Sequence, residues 1–345
     1  MSKVLMKGNE AIAVAAIKGG CEAFFGYPIT PQNEIPEFLS KHMIEKHLVF
    51  VQAESEVAAI NMVYGAAGAG AHVMTTSSSP GIALMQEGIS YLCGAELPCV
   101  LVNVMRGGPG LGGIQPAQAD YKQITRGGGN GDYQVLAFAP ENLQETVDIL
   151  KQSFSIADYY RNPVMIAVDG LIGQMMESVD LDIEPQLRTV EDKTWATTGG
   201  KTGKDRRIVT SLFLDPHDLY QLNLRLHKKY QEMKATEQRY ELVNIDDAEV
   251  VIVAYGTMAR ICRSVIEDLS KEGFKVGMLR PLTIWPFPEV AFDKLPKDAM
   301  VLCAELSMGQ MIDDIKIACH GRHRIEFFGR AGGIVPEPDE ISSYI

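Results

Sequence analysis

The alternation of helix-like and strand-like segments between residues 1 and 185 restricts the possible folds of this chain more than any other feature. Short apolar runs predict strands at CEAFFG, LVFV, HVMTT, CVLVNVM, VLAF and PVMIAVD, and LVFV is expected to be buried. Alternation of this kind is typical of an α/β fold, in which helices cover both faces of a parallel sheet. Helical patterns lie between the strands, at Glu10–Lys18, Pro31–Lys46, Ser55–Ala69, Gly81–Tyr91 and Glu141–Tyr160.

A second α/β unit is expected from Ala248 onward. Strands are predicted at EVVIVAYG, KVGMLRPL, AMVLCAEL and RIEFFG, with one helix over Thr257–Lys271 and another after Ser307. Residues 184–207 are polar and lack a sustained period, which indicates a linker. The chain is therefore predicted to have three parts, residues 1–185, 186–246 and 247–345.

The middle part contains one amphipathic helix. Asp215 and Pro216 are typical of the N-cap and first position of a helix. An apolar stripe at helical spacing predicts that this helix packs against the protein body or a partner, and a ligand-binding role is not expected. The stripe consists of Leu219, Leu222, Leu226, Tyr230 and Met233.

Charge and composition exclude several classes of function. The 32 basic and 44 acidic residues give a net charge of −12 without any basic block, so neither nucleic acid nor an anionic membrane is an expected partner. No apolar run reaches the ~18–20 residues that span a bilayer, and the N-terminus has no secretory signal pattern. We therefore expect a cytoplasmic protein. The 6 cysteines form no C-x-x-C pair, so no zinc ribbon or iron–sulfur cluster is expected from this chain alone.

Two motifs suggest ligands but have simpler interpretations. The loop RGGPGLGG matches the dinucleotide pattern G-x-G-x-x-G, but Pro109 interrupts it and no long helix pattern follows directly. A shaped loop beside a ligand or subunit is favoured over a nicotinamide site. Cys319, His320 and His323 lack a fourth ligand and are more typical of a solvated helix end, so no metal site is predicted.

Polar residues follow four successive predicted strands. Thr30 in GYPITP either caps a helix that starts at Pro31 or presents its hydroxyl to a ligand. Glu54 and Glu56 follow LVFV, SSSPG follows HVMTT, and Arg106 ends CVLVNVM. The carboxyl ends of parallel strands meet at one edge of a sheet, where α/β proteins bind ligands. An arginine at this edge is suited to binding a carboxylate.

These motifs in their long forms resemble the alpha subunit of 2-oxoacid:ferredoxin oxidoreductases. The matching segments are GYPITP, AESEVAAINMVYGAAGAG, TTSSSPG and NVMRGGPGLGGIQPAQADY, and the resemblance is close over residues 4–180. It implies a thiamine diphosphate pyrimidine-binding domain followed by a smaller transketolase C-terminal-like domain. The nearest look-alikes act on branched-chain oxoacids such as 3-methyl-2-oxobutanoate, and those that act on 2-oxoglutarate come second.

The resemblance also implies a chemistry and a set of site residues. Such enzymes use thiamine diphosphate to decarboxylate a 2-oxoacid, transfer the acyl group to coenzyme A and pass electrons through iron–sulfur clusters to ferredoxin. The E-x-A-A register assigns the carboxyl group that binds the aminopyrimidine to Glu56, whereas Glu54 is expected to be a first-turn acid. Thr30 and Arg106 match the family positions that hold the oxoacid. The implied cofactor-binding residues are Pro28, Ile29, Glu56, Ser79, Pro80 and Gly81.

The chain is expected to supply only half of an active site. The nearest match to the family's diphosphate–magnesium motif, Val168–Gly173, lacks its first glycine, and no asparagine follows before Asn223. Mg²⁺ and [4Fe–4S] clusters are therefore expected in partners, namely a diphosphate-binding beta subunit, a gamma subunit and a ferredoxin-like delta subunit. A non-catalytic structural subunit is the main alternative, and the intact set of Thr30, Glu56 and Arg106 argues against it.

Overall fold

In the computed structural model of the chain, which describes residues 3–199 and 206–345, the first region folds around a seven-stranded sheet. All neighbouring strands run parallel except the first pair, which is antiparallel. From one edge to the other the strands are β12 (Thr283–Trp285), β6 (Leu136–Phe138), β7 (Pro163–Asp169), β5 (Cys99–Met105), β4 (Val73–Ser77), β2 (Ala23–Gly26) and β3 (Val49–Gln52).

Helices cover both faces of this sheet, as predicted. The strands β4, β5 and β7 are therefore buried along their whole length. A separate antiparallel pair, β1 (Val4–Lys7) and β8 (Met176–Val179), lies outside it. The helices of the region are α1 (Gly8–Lys18), α2 (Glu34–Glu45), α3 (Glu56–Gly68), α4 (Ser79–Gly94), α5 (Tyr121–Arg126), α6 (Leu143–Tyr160) and α7 (Gly170–Gln174).

Two expectations about the first region are wrong. The LVFV segment is an edge strand with β2 as its one neighbour, and its second residue, Val49, is 50% exposed rather than buried. Helix α2 begins at Glu34 rather than at Pro31, since a turn in which Gln32 N donates to the Ile29 carbonyl comes first. Thr30 therefore does not cap this helix.

The second unit has a five-stranded sheet, parallel except for its last pair. Its strands in spatial order are β14 (Ile325–Gly329), β13 (Met300–Glu305), β10 (Val250–Val253), β11 (Val276–Pro281) and β9 (Tyr240–Val243). Its helices are α9 (Gly256–Lys271), α10 (Ile312–Cys319) and α11 (Pro338–Ser342), together with a 3₁₀ turn at Glu289–Lys294.

Two strands cross the predicted divisions of the chain. β9 comes from the middle part and joins the second sheet, whereas β12 comes from the last part and joins the first. The two units also share hydrogen bonds through Gln118, whose side chain accepts from Leu306 N at 2.9 Å and donates to the Tyr255 carbonyl at 2.7 Å. The loop that follows Arg106 is thereby tied to the second unit.

Helix α8 (Pro216–Thr236) packs on the protein body, as its stripe predicted. Asp215 caps it by accepting from His217 N, and Tyr230 makes an edge contact with Trp285. Leu219 is 41% exposed and does not belong to the buried stripe. The predicted linker has no helix or strand in its described parts, residues 184–199 and 206–207, and residues 200–205 lie outside the described chain. Of the helices in the described ranges, none is long and apolar enough to cross a membrane.

Candidate active site

The predicted convergence of polar segments is confirmed by the strand order. β5, β4, β2 and β3 are consecutive neighbours and parallel, so the residues that follow them share one edge of the sheet. Thr30, Glu56, Arg106 and the Ser77–Gly81 segment are all at this edge.

Glu56 and Glu54 have different environments. Ser55 caps α3 by accepting from Ala58 N at 3.1 Å, so Glu56 is the first helical residue, and it is 6% exposed. Glu54 is exposed and precedes the cap, so the expectation that it is a first-turn acid is wrong. Among the described residues, no donor forms a hydrogen bond with the Glu56 carboxylate. This carboxylate is therefore available to a ligand.

Gly81 lets the start of α4 approach the Glu56 carboxylate and the Ser77 hydroxyl closely, because it has no Cβ atom. A Cβ atom on Gly81 would lie 2.7 Å from Glu56 Oε1 and 2.1 Å from Ser77 Oγ. The hydroxyls of Ser77 and Ser78 are buried and have no hydrogen-bond partner within the described ranges. Buried hydroxyls of this kind normally find a partner. A carboxylate and two unpaired hydroxyls fit a flat polar heterocycle such as an aminopyrimidine.

Arg106 and Thr30 are brought together through the main chain. Nη1 of Arg106 donates to the Thr30 carbonyl at 2.8 Å, and Nη2 donates to the Leu111 carbonyl at 3.2 Å. Arg106 is 6% exposed, and its Nε has no partner in the part of the chain described here. Thr30 and Pro28 are exposed and Ile29 is half-buried, so this turn lines the open side of the site.

Two residues, Asn103 and Asp120, contact the site through Ser79 and are not predicted by the sequence motifs. Ser79 Oγ donates to Asp120 Oδ2 at 2.6 Å, and Asn103 Nδ2 donates to the same oxygen at 2.9 Å. Burial raises the pKa of the Asp120 carboxyl, while these hydrogen bonds and the charge of Arg106 act in the opposite direction. The one signal that could have revealed this cluster is an asparagine within the otherwise apolar strand CVLVNVM.

A pocket of about 430 Å³ opens beside Thr30. No lysine or arginine is among the described residues that line it, and Glu34 is its charged group. Burial would raise the pKa of Glu34, but hydrogen bonds from Lys7, Asn9 and Gln174 outweigh it and lower the pKa. The pocket is therefore partly apolar, and the charge of Glu34 is balanced by an ion pair with Lys7 at 2.8 Å. It is lined by Thr30, Pro31, Asn33, Glu34, Ile114, Gln115, Pro116, Gly170, Leu171 and Gln174.

The residue that could imitate a diphosphate–magnesium ligand, Asp169, is used inside the chain. Its carboxylate accepts from Thr257 Oγ1 at 2.7 Å and from the amides of Leu171 and Ile172. Burial raises its pKa. These residues do not fit a magnesium-bound diphosphate.

The histidine-rich segment at the end of α10 is also accounted for by local contacts. Cys319 is buried, His320 ends the helix in a left-handed conformation, and His323 Nδ1 lies 3.0 Å from the Ala299 carbonyl. Within residues 3–199 and 206–345, no cluster of three or more His, Cys, Asp or Glu side chains could hold a metal ion.

The glycine-rich loop folds back on itself through main-chain hydrogen bonds. Gly113 N donates to the Gly107 carbonyl, and Gly107 N donates to the Gln115 carbonyl. Gly112 has φ +57°, and a Cβ there would lie 1.9 Å from the Gly107 oxygen. Helix α5 begins only at Tyr121, so the loop does not open a helix as a dinucleotide site requires.

Comparisons with known families and proteins agree with this geometry. Residues 14–242 match the family described as pyruvate flavodoxin/ferredoxin oxidoreductase, thiamine diphosphate-binding. Residues 248–341 match pyruvate:ferredoxin oxidoreductase core domain II. The chain is 46% identical to the ketoisovalerate oxidoreductase subunit VorB of Methanothermobacter thermautotrophicus, over 99% of this chain and 96% of that one. It is 33% identical to the 2-oxoglutarate synthase subunit KorA of Methanocaldococcus jannaschii, over 99% and 98%.

Solved structures give the same result for the fold. The 2-oxoglutarate:ferredoxin oxidoreductase from Magnetococcus marinus, with 2-oxoglutarate, coenzyme A and succinyl-CoA bound, aligns with a TM-score of 0.89 and 26% identity. That alignment covers 99% of this chain but only 64% of the other, so the present chain spans less than two thirds of that relative. A split-gene transketolase described as an inactive beta4 tetramer aligns over 98% of this chain and 93% of its own, with a TM-score of 0.60 at 14% identity. This last likeness concerns the fold alone and agrees with the expected transketolase-like architecture.

Proposed function

The chain belongs to the thiamine diphosphate-binding pyruvate flavodoxin/ferredoxin oxidoreductase family, and from this membership we propose that it supplies the aminopyrimidine half of the active site. The family is that of the 2-oxoacid:ferredoxin oxidoreductases, as the sequence motifs predicted. The reaction that we propose converts a 2-oxoacid and coenzyme A to acyl-CoA and CO₂. Two electrons pass singly to two ferredoxin molecules.

The observation that carries this proposal is the buried Glu56 carboxylate, which has no hydrogen-bond donor in the described residues and lies against Gly81 at the start of α4. Thiamine diphosphate, when bound, supplies the electron sink that decarboxylation requires. Glu56 would hold a proton between its carboxylate and a ring nitrogen of the aminopyrimidine. Ser77 and Ser78 would offer their unpaired hydroxyls to the same ring. Ser79, Pro80 and Gly81 would form its wall, together with Pro28 and Ile29 on the open side.

Arg106 and Thr30 would bind the oxoacid. The Nε of Arg106 is a buried donor without a partner in the described chain, and a carboxylate is its natural acceptor. The Thr30 hydroxyl, at the exposed end of the same contact, would donate to the carbonyl oxygen of the substrate. Both residues would orient the oxoacid without undergoing covalent change.

We propose 3-methyl-2-oxobutanoate (ketoisovalerate) as the substrate. The VorB relative at 46% identity supports it over the KorA relatives at 31–34%. The pocket beside Thr30 adds a physical argument, because no lysine or arginine is among the described residues that line it, so none would bind the second carboxylate of 2-oxoglutarate. 2-Oxoglutarate is the second candidate.

The remaining components would come from partner subunits. Mg²⁺ and the diphosphate contacts are assigned to a beta subunit, because Asp169 is already used within this chain. A gamma subunit and a ferredoxin-like delta subunit with [4Fe–4S] clusters complete the proposed assembly. The division into residues 1–185, 186–246 and 247–345, and the cytoplasmic location, stay predictions.

The test is co-expression of this chain with the products of its neighbouring genes, followed by CoA-dependent reduction of a viologen dye. Faster turnover of 3-methyl-2-oxobutanoate than of 2-oxoglutarate or pyruvate supports the proposal. Assembly of the complex with full activity after Glu56→Gln would favour the structural-subunit alternative.

A further inference from the structure

Three residues, one of them the proposed wall residue Ser79, form a closed ring of hydrogen bonds whose role the proposed chemistry does not explain. Ser79 N donates to Asn103 Oδ1 at 3.1 Å, and Asn103 Nδ2 donates to Asp120 Oδ2 at 2.9 Å. Ser79 Oγ closes the ring with a 2.6 Å bond to the same carboxylate oxygen. The ring joins the start of α4, the strand β5 and the residue before α5.

A further hydrogen bond connects this ring to Arg106. The Arg106 amide donates to Ser79 Oγ at 3.0 Å. The Ser79 hydroxyl has one proton, and its two possible acceptors are Asp120 at 2.6 Å and the Arg106 carbonyl at 3.3 Å. The short, charge-assisted bond to Asp120 is the stronger. The carboxylate therefore turns the hydroxyl so that a lone pair faces the Arg106 amide.

The position of Asp120 is fixed from a second side. Gln118, two residues earlier, is held by the second unit. Its main-chain N–H donates to the Leu306 carbonyl, and its side chain accepts from Leu306 N and donates to the Tyr255 carbonyl. Asp120 is 8% exposed, so its carboxylate has little water to compensate it. A buried charge of this kind is tolerated only where hydrogen bonds and an opposite charge, here Arg106, offset it.

We propose that Asp120 is a positioning residue for oxoacid binding. Through the Ser79 hydroxyl it holds the main chain of Arg106, and so directs the guanidinium to the place where the substrate carboxylate binds. This inference rests on the proposed role of Arg106 and goes beyond it, because Asp120 itself touches neither substrate nor cofactor.

The test uses the reconstituted complex and separates KM for the oxoacid from kcat and from KM for coenzyme A. Asp120→Ala leaves Asn103 Nδ2 unpaired and removes the acceptor that orients the Ser79 hydroxyl, so it should raise KM for the oxoacid about tenfold or more, with the other constants within about threefold. Asp120→Asn keeps an acceptor oxygen and should stay within about threefold of wild type. Ser79→Ala breaks the same link and should raise KM for the oxoacid as Asp120→Ala does.

The double variant measures whether the two residues act through one connection. Ser79→Ala combined with Asp120→Ala should raise KM for the oxoacid no further than either change alone. Asp314→Ala is the matched control, since Asp314 is equally buried at 8% exposure and accepts from Tyr121 at 2.6 Å. It should lower the melting temperature without changing KM for the oxoacid.

An unchanged KM for the oxoacid in Asp120→Ala, or an equal rise in Asp314→Ala, would overturn the proposal. A wild-type complex that turns over no 2-oxoacid would contradict the proposed function instead. In that case, or if Asp120→Ala prevents assembly, a crystal structure of the Ser79→Ala chain decides. Displacement of the Arg106 main chain supports the positioning role, and an unmoved Arg106 overturns it.

Discussion

The guanidinium of Arg106 donates to the carbonyl oxygen of Thr30 across 2.8 Å, and this bond spans the end of β4 to join β5 with β2. It brings the two predicted oxoacid-binding residues to one point beside the Ser77–Gly81 segment. Because the acceptor is a main-chain oxygen, the contact does not depend on the Thr30 side chain. The Thr30 hydroxyl remains exposed, where its one side-chain partner among the described residues is Asn33 at 3.3 Å.

Replacing Arg106 should weaken oxoacid binding. Arg106→Ala removes a desolvated guanidinium, and loss of one partner of a buried charge pair typically costs ~2–5 kcal/mol. We expect a large rise in KM for the oxoacid in steady-state kinetics of the complex, with KM for coenzyme A little changed. An unchanged KM for the oxoacid would show that Arg106 does not bind the substrate.

The two glutamates near the start of α3 should differ sharply. Glu56→Gln should reduce oxoacid-dependent dye reduction by orders of magnitude while the complex still assembles, because an amide cannot hold the proton that a carboxyl holds. Glu54 is exposed and lies outside the helix, so Glu54→Gln is the control and should change the rate little. Equal losses in both variants would refute the assignment to Glu56.

Gly81 and Gly65 provide a second matched pair. A Cβ on Gly81 would lie 2.1 Å from Ser77 Oγ, so Gly81→Ala should destabilise the chain by ~1–3 kcal/mol and abolish cofactor-dependent activity. Nothing lies within 4 Å of the corresponding position on Gly65, within α3. Gly65→Ala should therefore stabilise the isolated chain by ~0.5–1 kcal/mol. Thermal melts of both chains measure the difference, and a melting temperature unchanged by Gly81→Ala would contradict the close packing of Gly81 against Ser77 and Glu56.

Substrate choice should respond to the charge of the pocket beside Thr30. Ile114 is 55% exposed and lines this pocket, so Ile114→Lys would add the cation that a second carboxylate needs. The ratio of kcat/KM for 2-oxoglutarate to that for 3-methyl-2-oxobutanoate should rise by about tenfold. Ile114→Gln, polar but uncharged, is the control. An equal kcat/KM ratio in Ile114→Lys and Ile114→Gln would show that the side chain of the substrate binds outside this pocket.

Much of the fold could be predicted because local burial dominates it. CVLVNVM and PVMIAVD coincide with β5 and β7 residue for residue, since a strand covered on both faces is a continuous apolar run. LVFV is also a continuous apolar run, but its position at the sheet edge is decided by which strands pair with it and not by its own residues. For the same reason the placement of β12 in the first sheet was not predicted: it depends on contacts between distant parts of the chain.

The candidate site could likewise be predicted from the sequence only in part. Glu56, Thr30 and Arg106 were identified because each lies in a segment whose motif or position after a strand is visible in the sequence. Asn103 and Asp120 act only through a ring that three separate elements close. A pattern along one segment does not reveal such a ring.

The central claim, that this chain holds half of a thiamine diphosphate site, is tested most directly by isothermal titration with Mg²⁺ and thiamine diphosphate. Most of the affinity should come from the magnesium-bridged diphosphate, and the one aspartate of its VDG segment, Asp169, is occupied by Thr257. The isolated chain should therefore show no measurable binding at micromolar concentrations, and binding and activity should appear together when the diphosphate-binding subunit is added. Tight binding by the isolated chain would contradict the account and reveal a complete site.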